Sequence, residues 1–255
     1  MEKYLEHYSG DEAFCRMIVS LKDQVIEKNM WHLTPFYNPH EVTIIERLIG
    51  HQDDLVVYHH GGIEQAEMQR VIIAPSFYVI EPADFEITVF EAHYPSKFVK
   101  LSHRDVLGAL MSLGLKRESY GDILVKEETC YFAVDAKMAA YIRENLSKIS
   151  RGSIHLKVCE RTITNEPNFR CVTRPVASFR LDVIIAELFH LSRAEAKRLI
   201  EASLVKVNYK EVEQCHFLCH NNDIISVRRH GRVLLRDLNK QNRKGKYLIE
   251  GCYYQ

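Results

Sequence analysis

The stretch from Ser178 to Leu235, SFRLDVIIAELFHLSRAEAKRLIEASLVKVNYKEVEQCHFLCHNNDIISVRRHGRVLL, decides how the chain is read. It predicts two short helices followed by a small twisted sheet. Leu181, Ile184, Ile185 and Leu188 stand at i, i+3, i+4 and i+7, so they form one apolar stripe, with Asp182 near the positive end of the helix dipole. Ser192 and Glu195 have capping-box spacing at the start of the second helix. Ala196, Leu199 and Ile200 face inward, while Arg193 and Lys197, four residues apart, share a different face. That face is cationic and lies at a helix start, where backbone N–H groups also favour anions. Leu204 to Asn208 and Asp223 to Arg228 read as strands, and the cations Lys206, Arg228, Arg229 and Arg232 all fall outside the apolar pattern.

Taken singly, such charges are ordinary solvated surface. The specific signal is the fixed succession RLD, LSRAEAKRLI, VKVN, DIISVR and GR. In that order the stretch resembles the RNA-binding domain named after small-subunit ribosomal protein S-four, which presents two helices to structured RNA. The resemblance implies RNA contacts at Arg180, Ser192, Arg193, Lys197, Lys206, Asn208, Arg228, Arg229 and Arg232. Tyr209 stands where that family usually has a glycine, and a turn with positive φ costs a Tyr more than a Gly.

The 255 residues, 46% apolar and 27% charged, suit a globular protein of two or three domains. No apolar run approaches the ~20 residues of a membrane helix, and the polar start MEKYLEHYSGDE is unlike a secretory signal, so a cytoplasmic protein without membrane contact is expected. The seven cysteines are odd in number and scattered, which argues against a disulfide framework and fits a reducing compartment. The zero net charge conceals a division. From Ser178 onward 14 Lys and Arg stand against 9 Asp and Glu, and the remainder of the chain carries the opposite excess. Basic charge is thus concentrated in the third of the chain that would meet a polyanion.

The segment 1–75 reads as a small α/β domain. Phe14, Met17, Ile18, Leu21 and Val25 keep helical spacing, and Asn38-Pro39 starts a second helix whose buried face is Val42, Ile45, Leu48 and Ile49. Leu55 to Tyr58 and Val71 to Ala74 are strand-like. Residues 76–160 follow the order β-α-β-β-α-β, with strands at 85–92, 122–125, 130–134 and 153–158 and helices at 102–113 and 136–149, as in ferredoxin-like, RRM-like domains. Its strands lack the paired aromatics that such modules use to stack bases, so core packing or a protein-facing role is expected for the sheet. Residues 161–177 carry two prolines and no period, and read as a linker. The S-four-type domain then spans 178–255, ending in a basic tail that is expected to be solvated or to add phosphate contacts, with 247–254 returning as a strand. The expected class is α+β with three small domains.

GGIEQAEMQRVIIAP, KFVKLSHRDVLGALMSLGLKRESYGDILV and the C-terminal module, in that order, resemble the YlmH family of bacterial RNA-binding proteins over nearly the whole chain. The resemblance implies a non-enzymatic, cytoplasmic protein associated with the large ribosomal subunit, acting in quality control of stalled translation and linked to cell division. It implies as partners ribosomal RNA or tRNA, peptidyl-tRNA and a quality-control factor, with the protein itself a monomer and no cofactor.

Other chemistry finds little support in the residues. Cys215-His216 and Cys219-His220 have half the spacing of a zinc site, but there is no second cluster, and His59-His60 point to opposite faces of a strand, so no metal is expected. Ser102-His103-Arg104-Asp105 matches a kinase catalytic loop by letters alone and serves better as a helix cap. An RNA-modifying enzyme is the competing class. Yet the only Arg-Leu-Asp, 180–182, is used by the first helix of the module, and the chain has neither a glycine-rich methyltransferase loop nor synthetase signatures. A protein scaffold at the division site is the third class.

Overall fold

The computed structural model describes residues 10–50, 54–166 and 168–254. The chain forms two compact units, residues 1–165 and 166–255.

The first unit begins with α1 (Glu12–Lys28), β1 (His32–Tyr37), α2 (Pro39–Ile49), β2 (Leu55–His60) and β3 (Gln69–Pro75), whose strands form an antiparallel sheet of order β1-β3-β2. Ile18 and Val25 of α1 and Val42, Ile45 and Ile49 of α2 pack on Leu55, Val71 and Ile73. Met17, expected on that stripe, is exposed instead, and Phe14 and Leu21 flank the core. The α2 start is as the sequence predicts. The Asn38 side chain accepts from the amides of His40 and Glu41, and the Glu41 carboxylate accepts from the Asn38 amide at 2.8 Å. Three backbone donors at the helix start are satisfied in this way, two of them reciprocally between Asn38 and Glu41.

The unit continues with β4 (Ile87–His93), α3 (His103–Ser112), β5 (Tyr120–Val125), β6 (Thr129–Asp135), α4 (Ala136–Asn145), the short hairpin β7 (Lys148–Ile149) and β8 (Gly152–Ser153), and β9 (His155–Val158). The antiparallel order β5-β6-β4-β9 is that of a ferredoxin-like sheet. α4 stops at Asn145, earlier than the expected 149, because residues 148–153 turn back as the β7–β8 hairpin. Val106 and Leu110 of α3 and Ala139 and Ile142 of α4 cover one sheet face, over Phe90, Phe132 and Val134.

The other face, where RRM-type modules stack bases, is closed by the chain itself. Phe36, Ile63, Ala66 and Ile163 pack onto Tyr131 and Ala133. The fit is tight at two glycines: a Cβ on Gly121 would lie 2.7 Å from the Phe36 ring, and one on Gly62 would lie 2.6 Å from Ile87. Gly62 also has φ +77°, which only glycine adopts freely. Buried Arg70 ties the layers, donating to the carbonyls of Thr34, Phe85 and Glu86 and lying 3.5 Å from Asp135. This shared core joins residues 1–75 and 76–160 in one compact unit.

The second unit contains β10 (Phe169–Val176), α5 (Leu181–Leu188), α6 (Arg193–Glu201), β11 (Val205–Val207), β12 (Lys210–Glu211), β13 (Ile224–Val227), β14 (Gly231–Gln241) and β15 (Tyr247–Tyr254). Its sheet has the order β10-β15-β14-β13-β11-β12. Leu181, Ile184, Ile185, Leu188, Ala196 and Ile200 of the helices are buried against it with Val205, Ile225, Val233 and Ile249.

The fold departs from the sequence expectations in two places and refines a third. The 161–177 stretch, read as a linker with 173–175 extended, is indeed extended there but is built into the fold at both ends. Ile163 is buried in the first unit, Asn165 donates to Asp122 at 3.1 Å, and residues 169–176 pair with 247–254 as an edge strand. The basic tail is, as expected, largely exposed and followed by a strand at 247–254, but it is the outer part of a long hairpin, β14–β15. Finally, Cys171 and Cys252 form a disulfide, against the expectation of reduced thiols throughout. The two residues are 81 positions apart and become neighbours only through the β10–β15 register, which sequence spacing does not reveal.

Candidate RNA-binding site

The site is built where the starts of α5 and α6 meet. Arg180 is the N-cap residue of α5, held as the 215–219 segment runs beside it: the Leu181 amide donates to the Phe217 carbonyl and the Asp182 amide to that of Cys215. Asp182, 0% exposed, is the anion at the centre. Its Oδ1 accepts from Arg180 Nε at 3.0 Å, and its Oδ2 accepts from Arg180 Nη2 at 3.2 Å and from Arg193 Nη2 at 2.5 Å. Burial alone would raise the Asp182 carboxyl, but the hydrogen bonds and charges of the two guanidiniums outweigh it and hold its pKa below the ordinary carboxylate value. Asp182 in turn raises the pKa of Arg180.

The two arginines are the inverse of their anchor. Arg180 remains 41% and Arg193 58% exposed, so each spends part of its donor fork on Asp182 and turns the rest to solvent. An arginine fixed in this way has lost rotamer freedom before any ligand arrives, which lowers the entropic cost of recognising a phosphate. Ser192 accepts from the Glu195 amide at 3.1 Å and sets the start of α6. The Glu195 carboxylate lies 4.0 Å from Arg198. Lys197 is exposed one turn beyond Arg193 and makes no ion pair among the described residues.

The remaining expected contacts lie elsewhere in the unit. Lys206 is paired with Glu211 across β11–β12 at 3.3 Å. Asn208 is exposed, yet its amide is used within the fold, donating to Asp223 at 2.7 Å and accepting from the Ile224 amide at 2.8 Å. Arg228 and Arg229 are exposed in the β13–β14 turn, where Arg229 has φ +70°. Arg232 lies over the Tyr254 ring at 4.0 Å and the Tyr209 ring at 5.5 Å. Despite the cost to a non-glycine residue, Tyr209 keeps the left-handed turn geometry, with φ +71° beside Asn208 at +48°. The Asp182 clamp was not legible as such. The signal that would have found it is the acid two residues after Arg180, inside an apolar stripe where a charge needs partners.

The cysteine-histidine pairs stay apart from this chemistry. Cys219 is buried in the core, and burial pushes its thiol up to about 12, while Cys215 Sγ lies 3.8 Å from a Glu201 oxygen. Among the described residues the one close grouping of potential metal ligands is Cys171, Glu250 and Cys252, whose two sulfurs are joined in the disulfide.

Three family models match the chain in succession: "YlmH, N-terminal" at residues 11–78, "Putative RNA-binding domain in YlmH" at 81–163 and "S4 domain" at 179–225. The "Ribosome-associated protein quality control protein P2" of Bacillus subtilis is 32% identical over 252 residues, covering 98% of each chain. The chain belongs to the YlmH family. The solved structure named "Cell division protein ylmH from Streptococcus pneumoniae" is similar at 30% identity and a TM-score of 0.51, over 58% of this chain and 90% of that one. As a YlmH-family protein it carries its Arg180–Asp182–Arg193 cluster inside the S4 match, and its closed ferredoxin-like sheet inside the match to the RNA-binding domain. No described helix is long and apolar enough to cross a membrane.

Proposed function

We propose that this protein is a non-enzymatic RNA-binding factor of the cytoplasm. It docks as a monomer on the large ribosomal subunit, through ribosomal RNA or a retained peptidyl-tRNA, in the quality control of stalled translation. The observation that carries this reading is the pair of half-exposed arginines clamped on buried Asp182, one turn from exposed Lys197, which makes no ion pair among the described residues. The match to the S4 domain and the printed name of the Bacillus subtilis relative support it. The arrangement is suited to phosphate recognition: fixed guanidinium forks supply the charge, and the rigidity of two packed helices sets the position. Arg180, Ser192, Arg228, Arg229 and Arg232 extend the interface, with Lys206 and Asn208 at its structural margin. No cofactor or metal takes part.

The test is co-sedimentation of the tagged full chain with separated ribosomal subunits, followed by RNA crosslink mapping, for the wild type and for R193A/K197A. Association with the large subunit that falls in the double variant and weakens with salt is expected. A protein that ignores both subunits at low ionic strength overturns the reading. The division-linked name of the Streptococcus pneumoniae structure favours a second reading, a scaffold at the division site, for which pull-downs recover division proteins and no RNA.

A further inference from the structure

The ferredoxin-like half of the first unit has its stacking face closed, so any nucleic acid it meets must be met elsewhere. Its other surfaces contain one concentrated feature. Between β4 and α3, Val99 and Leu101 turn into the core while Phe98 and Lys100 turn outward. The turn is fixed by the Phe98 and Val99 amides, which both donate to the Pro95 carbonyl, at 2.9 and 3.1 Å. Phe98 is 88% exposed between Lys97 and Lys100. The β7–β8 hairpin lies beside this turn, since a Cβ on Gly152 would sit 3.4 Å from Val99. That hairpin brings Lys148 and Arg151, and Lys148 shares a shallow hollow with Arg104, Gly108 and Ser150. The one acid in the hollow, Asp105, is occupied by the Ser102 amide at 2.8 Å and the Ser102 hydroxyl at 2.5 Å. Among the described residues Lys97, Lys100, Arg104, Lys148 and Arg151 make no ion pair.

A single exposed aromatic signifies nothing by itself, and neither does a single solvated lysine. An outward ring flanked by two lysines, with three further cations on α3 and the adjoining hairpin, two of them lining one hollow and none ion-paired among the described residues, is the combination that single-stranded nucleic acid uses: cations track the backbone and a ring stacks a base. We infer that this surface is a second RNA-binding site, taking a single-stranded or looped-out segment, with Phe98 stacking an unpaired base and the five cations holding the flanking phosphates. An anionic membrane is the less suited occupant, because Phe98 is the only large apolar side chain exposed in the turn. The inference rests on the proposed RNA-binding function and adds a site independent of the Asp182 cluster.

The experiment uses the full chain, with labelled oligouridylate and purified large ribosomal subunits as probes, over a salt series. K97A/K100A/R104A/K148A/R151A is expected to weaken oligouridylate binding and to flatten the log–log salt dependence by roughly 0.7 for each phosphate no longer neutralised. F98A is expected to weaken it roughly 5- to 100-fold with the slope unchanged, and F98W to restore it. All six side chains are exposed, so unchanged melting temperatures check the fold. Wild-type affinity and slope in both the charge and ring variants overturn the inference, as does binding that moves to phosphatidylglycerol vesicles while RNA binding stays constant. R193A/K197A in the same assay separates the two claims. If it alone loses ribosomal binding, the second site falls and the proposed function stands; if every variant binds like a wild type that ignores ribosomes, the function falls.

Discussion

Arg193 Nη2 donates to Asp182 Oδ2 at 2.5 Å, a bond between a residue at the first turn of one helix and a fully buried carboxylate at the first turn of the other. The two helices are therefore locked through the same groups that face outward as the candidate RNA contact. Binding and stability are coupled at this point.

D182N keeps the shape and removes the charge, so both guanidiniums lose their anchor and the unit loses on the order of 1–3 kcal/mol. The pH dependence follows from the depressed carboxyl. Because the folded pKa lies below the ordinary 3.8, the stabilisation is fully present above that value and disappears as pH falls through the folded pKa. Urea midpoints measured from neutral pH down to acid should show wild type and D182N far apart at neutrality and converging in acid. A constant gap across the series is the contrary result.

Arg193 and Lys197 should respond differently although both belong to the proposed RNA interface. K197A removes an exposed cation that makes no ion pair among the described residues, and should leave the melting temperature unchanged while reducing the salt slope by about one unit or less. R193A leaves Asp182 with Arg180 alone and should lower stability by ~1–3 kcal/mol as well as binding. Equal melting curves for the two variants would show that the clamp carries no stability.

The Cys171–Cys252 crosslink joins the edge strand β10 to its neighbour β15 and closes a long loop. Constraining such a loop in the unfolded chain is worth ~2–4 kcal/mol. Melting of the purified protein should thus occur at lower temperature with reductant than without it, and C171S/C252S should be insensitive to reductant. A wild type that melts identically in both conditions would remove the disulfide from the account.

Tyr209 occupies the left-handed region while its ring lies by Arg232. Glycine there relieves ~1 kcal/mol of backbone strain and forfeits a ring–cation attraction of ~0.5–1 kcal/mol, so Y209G should be within about 1 kcal/mol of wild type. A β-branched residue relieves nothing and forfeits the same attraction, so Y209V should be destabilised by ~1–2 kcal/mol. Denaturant midpoints distinguish the two, and equal losses would contradict the strain argument.

Gly121 faces Phe36 so closely that even a methyl group must displace the ring. G121A is expected to cost ~1–3 kcal/mol by overpacking, measured as a shift in the unfolding midpoint of the first unit. A neutral outcome would mean that the packing between the sheet and the chain that closes it is loose.

Local pattern was sufficient for the elements whose cause is local. The Asn38-Pro39 start, the Ser102–Asp105 cap, the α5 stripe and the β-α-β-β-α-β order each arise from residues within a few positions of one another, and each appears in the structure. The concentration of cations beyond Ser178 is likewise a property of composition.

What the chain by itself determined is thus its helices, the strand order of its central sheet and the concentration of basic charge beyond Ser178. The tertiary structure alone decided that Phe36, Ile63 and Ile163 close the central sheet, that residues 169–176 are a strand opposite 247–254, and that Asp182 holds two arginines in place. The physical reason is common to the three. Each depends on residues distant in sequence occupying adjoining space, and periodicity and capping rules, which act over one or two helical turns, are blind to that adjacency.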